Sequence, residues 1–91
     1  MKNKPMKLNK EEFLKTEFGA ELESCVTAWD YYLENKNFTE ARIMQEKWEV
    51  YQIAMRQFYG IEYHFTRTSE YYGVCTEDKS DFLFKKEREE N

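Results

Sequence analysis

His64 is the only histidine of the chain, and Cys75 is one of its two cysteines. Both fall in IEYHFTRTSEYYGVC, residues 61–75, together with Glu62 and Tyr71. A thiol, an imidazole and a carboxylate are the parts of a nucleophilic site, in which a base activates the nucleophile and a third group orients the base. The same groups are partial ligands for a metal ion. What they can do depends on the elements that place them.

Ile61, Tyr63 and Phe65 alternate with Glu62, His64 and Thr66, the pattern of a half-buried strand. RTSE supplies a turn, YYGVCT a second strand, EDKS another turn, and DFLFK a third strand. A tight first hairpin sets Tyr63 against Val74 and Phe65 against Tyr72 on the inner face. Outside, His64 then lies opposite Gly73, Glu62 opposite Cys75, and Thr66 opposite Tyr71. Glu62, His64, Tyr71 and Cys75 are therefore expected on one exposed face.

That set lacks the other requirements of catalysis. The sequence has no nucleophile elbow and no oxyanion-hole glycines, and a zinc site wants three or four ligands in close-spaced pairs. TEDKSD, residues 76–81, resembles a calcium loop in its acids. It lacks the glycine bend and terminal glutamate of such a loop, so it reads as a solvated turn in which Asp78 and Ser80 bond the local backbone. No catalytic residue, metal or cofactor is expected.

Two helices precede the strands. Asn9 is placed to cap the first, with Glu12 three residues on and Leu8 and Phe13 positioned for a hydrophobic staple. Leu14, Phe18, Leu22, Cys25, Val26, Trp29, Tyr32 and Leu33 then fall within an arc of about 120°. This periodicity predicts one helix over about residues 10–35, with a bend or break at Gly19 as the alternative, and makes Cys25 a small core side chain. ENKN, residues 34–37, is a turn, and Asn37 can cap a second helix that stops at Gly60.

The second helix, over about residues 38–59, carries Ala41, Met44, Trp48, Tyr51, Met55 and Phe58 at spacings of three and four. That seam suits an antiparallel partner helix. Ile43, Val50 and Ala54 lie on nearly the opposite side, which one partner helix cannot cover. Either the C-terminal segment or another molecule must lie there.

The expected fold class is α+β: an antiparallel helical hairpin followed by a three-stranded antiparallel β-meander packed on the second helix. The strands cover about residues 61–67, 71–76 and 81–86. Residues 1–8 form a basic arm, residues 9–86 one domain, and residues 87–91 a charged tail.

Composition limits the partners. Ninety-one residues with a net charge of −4 lack the positive field of a typical polyanion binder. Single-stranded nucleic acid is the alternative partner, with Lys2, Lys4 and Lys7 supplying charge and Tyr71, Phe82 and Phe84 supplying stacking rings. That depends on the second hairpin. One register turns Phe82 and Phe84 inward with Tyr72 and Val74. A slip of one residue turns both outward beside Tyr71 and sends Leu83 inward. With no apolar run long enough to span a membrane and no dense cysteine framework, the expected location is a reducing cytoplasm.

Two segments, EEFLKTEFGAELESCVTAWDYYLE and QEKWEVYQIAMRQFYGIEYHFTRTSEYYGV, resemble small uncharacterised accessory proteins encoded on conjugative transposons of Gram-positive bacteria. Together they cover over half the chain, and WEVYQIAMRQFYG…YHFTRT is their most specific part. The resemblance implies a cytoplasmic accessory protein of a mobile element and brings no catalytic motif. The expected function is that of a non-enzymatic protein-interaction module. Its candidate surfaces are Ile43, Val50 and Ala54 on the second helix and Glu62, His64, Tyr71 and Cys75 on the sheet, with a second copy of the chain as the simplest partner.

Overall fold

A computed structural model of the chain describes residues 7–88. Helix α1 (Lys10–Lys15) opens on Asn9, whose side chain accepts from the Glu12 amide at 3.1 Å. The expected single first helix is in fact two. The break lies at Thr16, three residues before the expected weak point at Gly19. Thr16 is extended (φ −76°, ψ 163°) and serves both neighbours. Its hydroxyl donates to the Phe13 carbonyl at 2.5 Å, closing α1, and accepts from the Gly19 amide at 3.0 Å, opening α2 (Glu17–Glu34). A threonine with this geometry competes with helical bonding for the same backbone groups, and here it wins.

Gly19 has a different task. A Cβ there would overlap the Phe13 carbonyl and the Leu14 backbone, so its lack of a side chain lets α1 fold back onto α2. That fold-back buries Phe13, whose ring sits 5.4 Å from Phe18 and 5.8 Å from Tyr59.

α2 turns through Lys36, at φ 58°, into α3 (Phe38–Tyr59). Asn37 caps α3 as expected, accepting from Glu40 N. Gly60, at φ 69°, closes it by donating its amide to the Arg56 carbonyl. Leu22 and Val26 of α2 meet Trp48 and Met55 of α3 in the core, with Cys25 and Ala41 also buried.

The sheet is antiparallel in the order β1 (His64–Arg67), β2 (Tyr71–Cys75), β3 (Phe82–Glu87), so the chain is of the α+β class. β1 starts three residues later than expected. β2 ends at Cys75, opposite His64, and the chain then turns at Thr76, so residues 61–63 have no strand beside them. Tyr63 is nonetheless fully buried and donates its hydroxyl to Asp81. Asp81 also pairs with Lys10, tying α1 to the entry of β3.

The first hairpin pairs Phe65 with Val74 and Thr66 with Gly73, two residues away from the expected register. The Thr68 hydroxyl accepts from both the Glu70 and Tyr71 amides, which centres the turn on Ser69 and Glu70. A two-residue shift keeps every side chain on its face, so the inner set survives the change.

The sheet lies on both long helices. The Phe65 ring stacks on Trp48 of α3 at 4.9 Å and sits 5.1 Å from Trp29 of α2. The Tyr72 hydroxyl meets Thr27 of α2 at 3.2 Å.

Candidate functional site

The register sets His64 directly opposite Cys75. Glu62, His64 and Cys75 share a shallow cleft of about 390 Å³ with Phe65, Thr66, Thr76, Glu77 and Lys79. Tyr71 does not line it. Gln52 of α3 reaches in, its amide nitrogen 3.4 Å from His64 Nδ1 and 3.3 Å from Glu62 Oε1. His64 Nε2 stands 3.8 Å from Glu62 Oε1, as does Arg56.

Cys75 was expected on the exposed face, but it is 2% exposed. Burial pushes its thiol up, and Lys79 only partly offsets this. A reactive cysteine needs the opposite, a depressed pKa and an open approach. Cys75 is therefore neither docking surface nor an activated nucleophile. Cys25 is likewise buried, with Sγ 3.2 Å from the Met44 carbonyl and its thiol also raised by burial. Among the described residues, no group of three or more His, Cys, Asp and Glu is arranged to hold a metal ion.

In the acidic turn, Asp78 Oδ1 accepts from Thr76 Oγ1 at 2.8 Å, from Ser80 Oγ at 2.7 Å and from the Ser80 amide at 3.1 Å. These bonds, those from Ser80 foremost, hold its carboxyl down at about 2. Lys79 takes φ 60° so that the turn can close between the Thr76 amide and the Asp81 carbonyl. Asp78 Oδ1 thus serves the turn itself.

The second hairpin uses both candidate registers. Tyr72 pairs with Lys86, Gly73 with Lys85 and Val74 with Phe84, but Cys75 pairs with Phe82. The irregularity absorbs Leu83, so Leu83 and Phe84 both serve the core while Phe82 goes to the outer face. There the Tyr71 and Phe82 rings meet edge to face at 5.7 Å, and Lys85 Nζ lies 4.6 Å from the Tyr71 centroid and 5.2 Å from that of Phe82. Gly73 sits between them on β2 with no side chain to keep them apart. A Cβ at Gly73 would overlap the Phe84 carbonyl, so β3 also needs the glycine.

Of the three rings set out for single-strand stacking, Tyr71 and Phe82 share a face, while Phe84 packs inward on Tyr72. Lys7 lies elsewhere, beside a groove of about 510 Å³ that includes Phe13, Phe18 and Phe58. Lys2 and Lys4 lie outside the described residues.

The outer side of α3 remains open. Val50 is 67% exposed, Ile53 55% and Ile43 40%, with Ala54 half-buried among them. Ile43, Val50 and Ala54 are the expected set. Ile53 was missed, although it falls one turn beyond Val50 and widens the row. Phe58, expected in the inner seam, is 49% exposed at the helix end, where it lines the groove with Phe13 and Phe18.

An ionic cluster was also missed. Asp30, buried on α2, accepts from Arg67 Nε at 2.8 Å and from Arg88 Nη2 at 2.5 Å and Nη1 at 3.2 Å. Glu34, one turn on, takes Arg67 Nη2 at 2.6 Å. Arg88 also donates from Nε to the Thr68 carbonyl and from its amide to the Glu70 carbonyl. The expected free tail therefore begins too early: Glu87 belongs to β3 and Arg88 locks the first hairpin to α2. Residues 89–91 lie outside the described residues. The available signal was Asp30 itself, a carboxylate only about 40° beyond the edge of the apolar arc.

No family model matches the chain, and neither the curated proteins nor the solved structures yield a match. No helix among the described residues is long and apolar enough to cross a membrane.

Proposed function

We propose that this protein is a non-enzymatic docking module of the cytoplasm that presents the outer side of α3 to a protein partner. The observation that carries the reading is the row Ile43, Val50 and Ile53, all at least 40% exposed on one helix. Single exposed apolar residues are ordinary, but a contiguous row along a rigid helix is the usual form of a docking surface. The polar rim also fits, since Arg42, Glu46, Lys47, Glu49 and Arg56 flank the row. The setting as an accessory of a conjugative transposon rests on the resemblance of residues 11–34 and 45–74 to such proteins.

Glu62 and His64 meet α3 at Gln52, about 160° round the helix from Val50, and so lie off this surface. The single-strand reading loses one of its three rings to the core, and Lys85 already occupies the other two. Its test is tryptophan and tyrosine quenching by oligonucleotide at low salt, where no quenching is expected.

Capture experiments with wild type and Val50→Glu, read for protein and nucleic acid, test the docking reading. A protein partner retained by wild type and lost with Val50→Glu supports it. Partners retained equally by both would place binding elsewhere.

A further inference from the structure

The charges beside the α3 row say what covers it. We infer that the partner is a second copy of this chain, docked antiparallel along α3 and centred between Val50 and Ile53. The inference rests on the docking reading of this face and specifies its occupant.

α3 has 22 residues and is about 33 Å long, enough for three heptads. With Ile43, Val50 and Gln57 at the first heptad position, Glu46 and Ile53 take the fourth, Lys47 and Ala54 the fifth, and Arg42, Glu49 and Arg56 the seventh. A parallel pair sets each seventh position against the next fifth position of the other helix. Arg42 would then face Lys47 of the second copy, a repulsion, and Glu49 would face Ala54, with nothing to bind. Parallel docking is disfavoured on both counts.

An antiparallel pair sets the seventh-position flanks against each other, where Arg42, Glu49 and Arg56 alternate in sign. With Val50 packed on Ile53 of the second copy and the reverse, Glu49 meets Arg56 of that copy twice by symmetry. Glu46 and Gln57 meet at the two ends, where they stay wet. Shifting the helices until Ile43 meets Ile53 places Glu49 against Glu49 and Arg42 against Arg56. The flanking charges thus admit one alignment and penalise its neighbours, which is how helix pairs fix register. Arg56 is available for this, since its own-chain partner Glu62 stands 3.8 Å away and both side chains are more than half exposed. Such an exposed pair binds weakly.

Sedimentation velocity between about 5 μM and about 500 μM, the range for micromolar dissociation constants, provides the test. Wild type is expected to pass from monomer to dimer. Val50→Glu, with unchanged circular dichroism, is expected to stay monomeric. Glu49→Arg and Arg56→Glu are each expected to dimerise at least about tenfold more weakly, since both symmetry-related charge pairs become repulsions. Mixed in equal amounts, these two variants regain opposite charges at both contacts and are expected to form a heterodimer of near wild-type affinity. A wild type that stays monomeric throughout overturns the second-copy inference and leaves the docking reading to the capture experiment. A dimer indifferent to Val50→Glu, or variants that do not rescue one another, overturns the antiparallel α3 contact.

Discussion

At the scale of single residues, side chains that suggest chemistry in the sequence are engaged in holding the fold. Asp78 has the sequence context of a cation ligand, yet three bonds from Thr76 and Ser80 converge on its Oδ1 within the turn and lower its pKa from 3.8 to about 2. A group whose folded pKa lies below its unfolded value adds stability above the unfolded pKa and loses that contribution as the pH falls through the folded one. Asp78 therefore supports the turn fully at neutral pH and progressively less from about pH 4 down to about pH 2. A carboxyl carbon titration followed by NMR should place its midpoint near 2. A midpoint near 3.8 would mean that the turn is not formed as described. Cys75 is the complementary case, because burial raises its thiol where activation requires the reverse. Thiol-reactive dye should label native protein at least about tenfold more slowly than unfolded protein, as access requires local opening. Labelling at the unfolded rate would contradict its burial.

At the scale of elements, periodicity was informative wherever neighbouring residues set the structure. Asn37 and Gly60 bound α3 as capping chemistry requires. The inner seam of Ala41, Trp48 and Met55 is buried as its spacing predicts. The break at Thr16 was hidden because the apolar phase runs through it, and a hydroxyl that can both give and accept a bond leaves no mark in hydropathy. The second hairpin was undetermined for a related reason: Leu83 and Phe84 are both apolar, so alternation cannot say where an extra residue enters. Its solution, one irregularity that serves both registers, depends on close backbone approach at Gly73. The cluster of Asp30, Arg67 and Arg88 was not visible either, since its members are 37 and 58 positions apart in sequence. It predicts a large effect. Removing a buried carboxylate strands two mostly covered guanidiniums, so Asp30→Ala should cost about 3 kcal/mol in urea unfolding. A change under about 0.5 kcal/mol would show that the arginines are satisfied elsewhere.

At the scale of the whole molecule, the sheet settles which surface is left over. It lies across the helical hairpin, with Phe65 between Trp29 and Trp48, and so covers the side of α3 that faces the core. The opposite side keeps Ile43, Val50 and Ile53 in contact with solvent. The outer face of the sheet, by contrast, closes over itself where Lys85 lies across Tyr71 and Phe82. The docking surface proposed above is therefore α3, with the sheet as its support. Methyl-resolved NMR spectra recorded from about 10 μM to about 1 mM, spanning weak to moderate affinities, test this most directly. Concentration-dependent shifts should appear at Ile43, Val50, Ile53 and Ala54, while the methyls of Val26 and Val74 in the core hold still. Spectra that do not change, or changes centred on Thr66 of the sheet, would contradict the account.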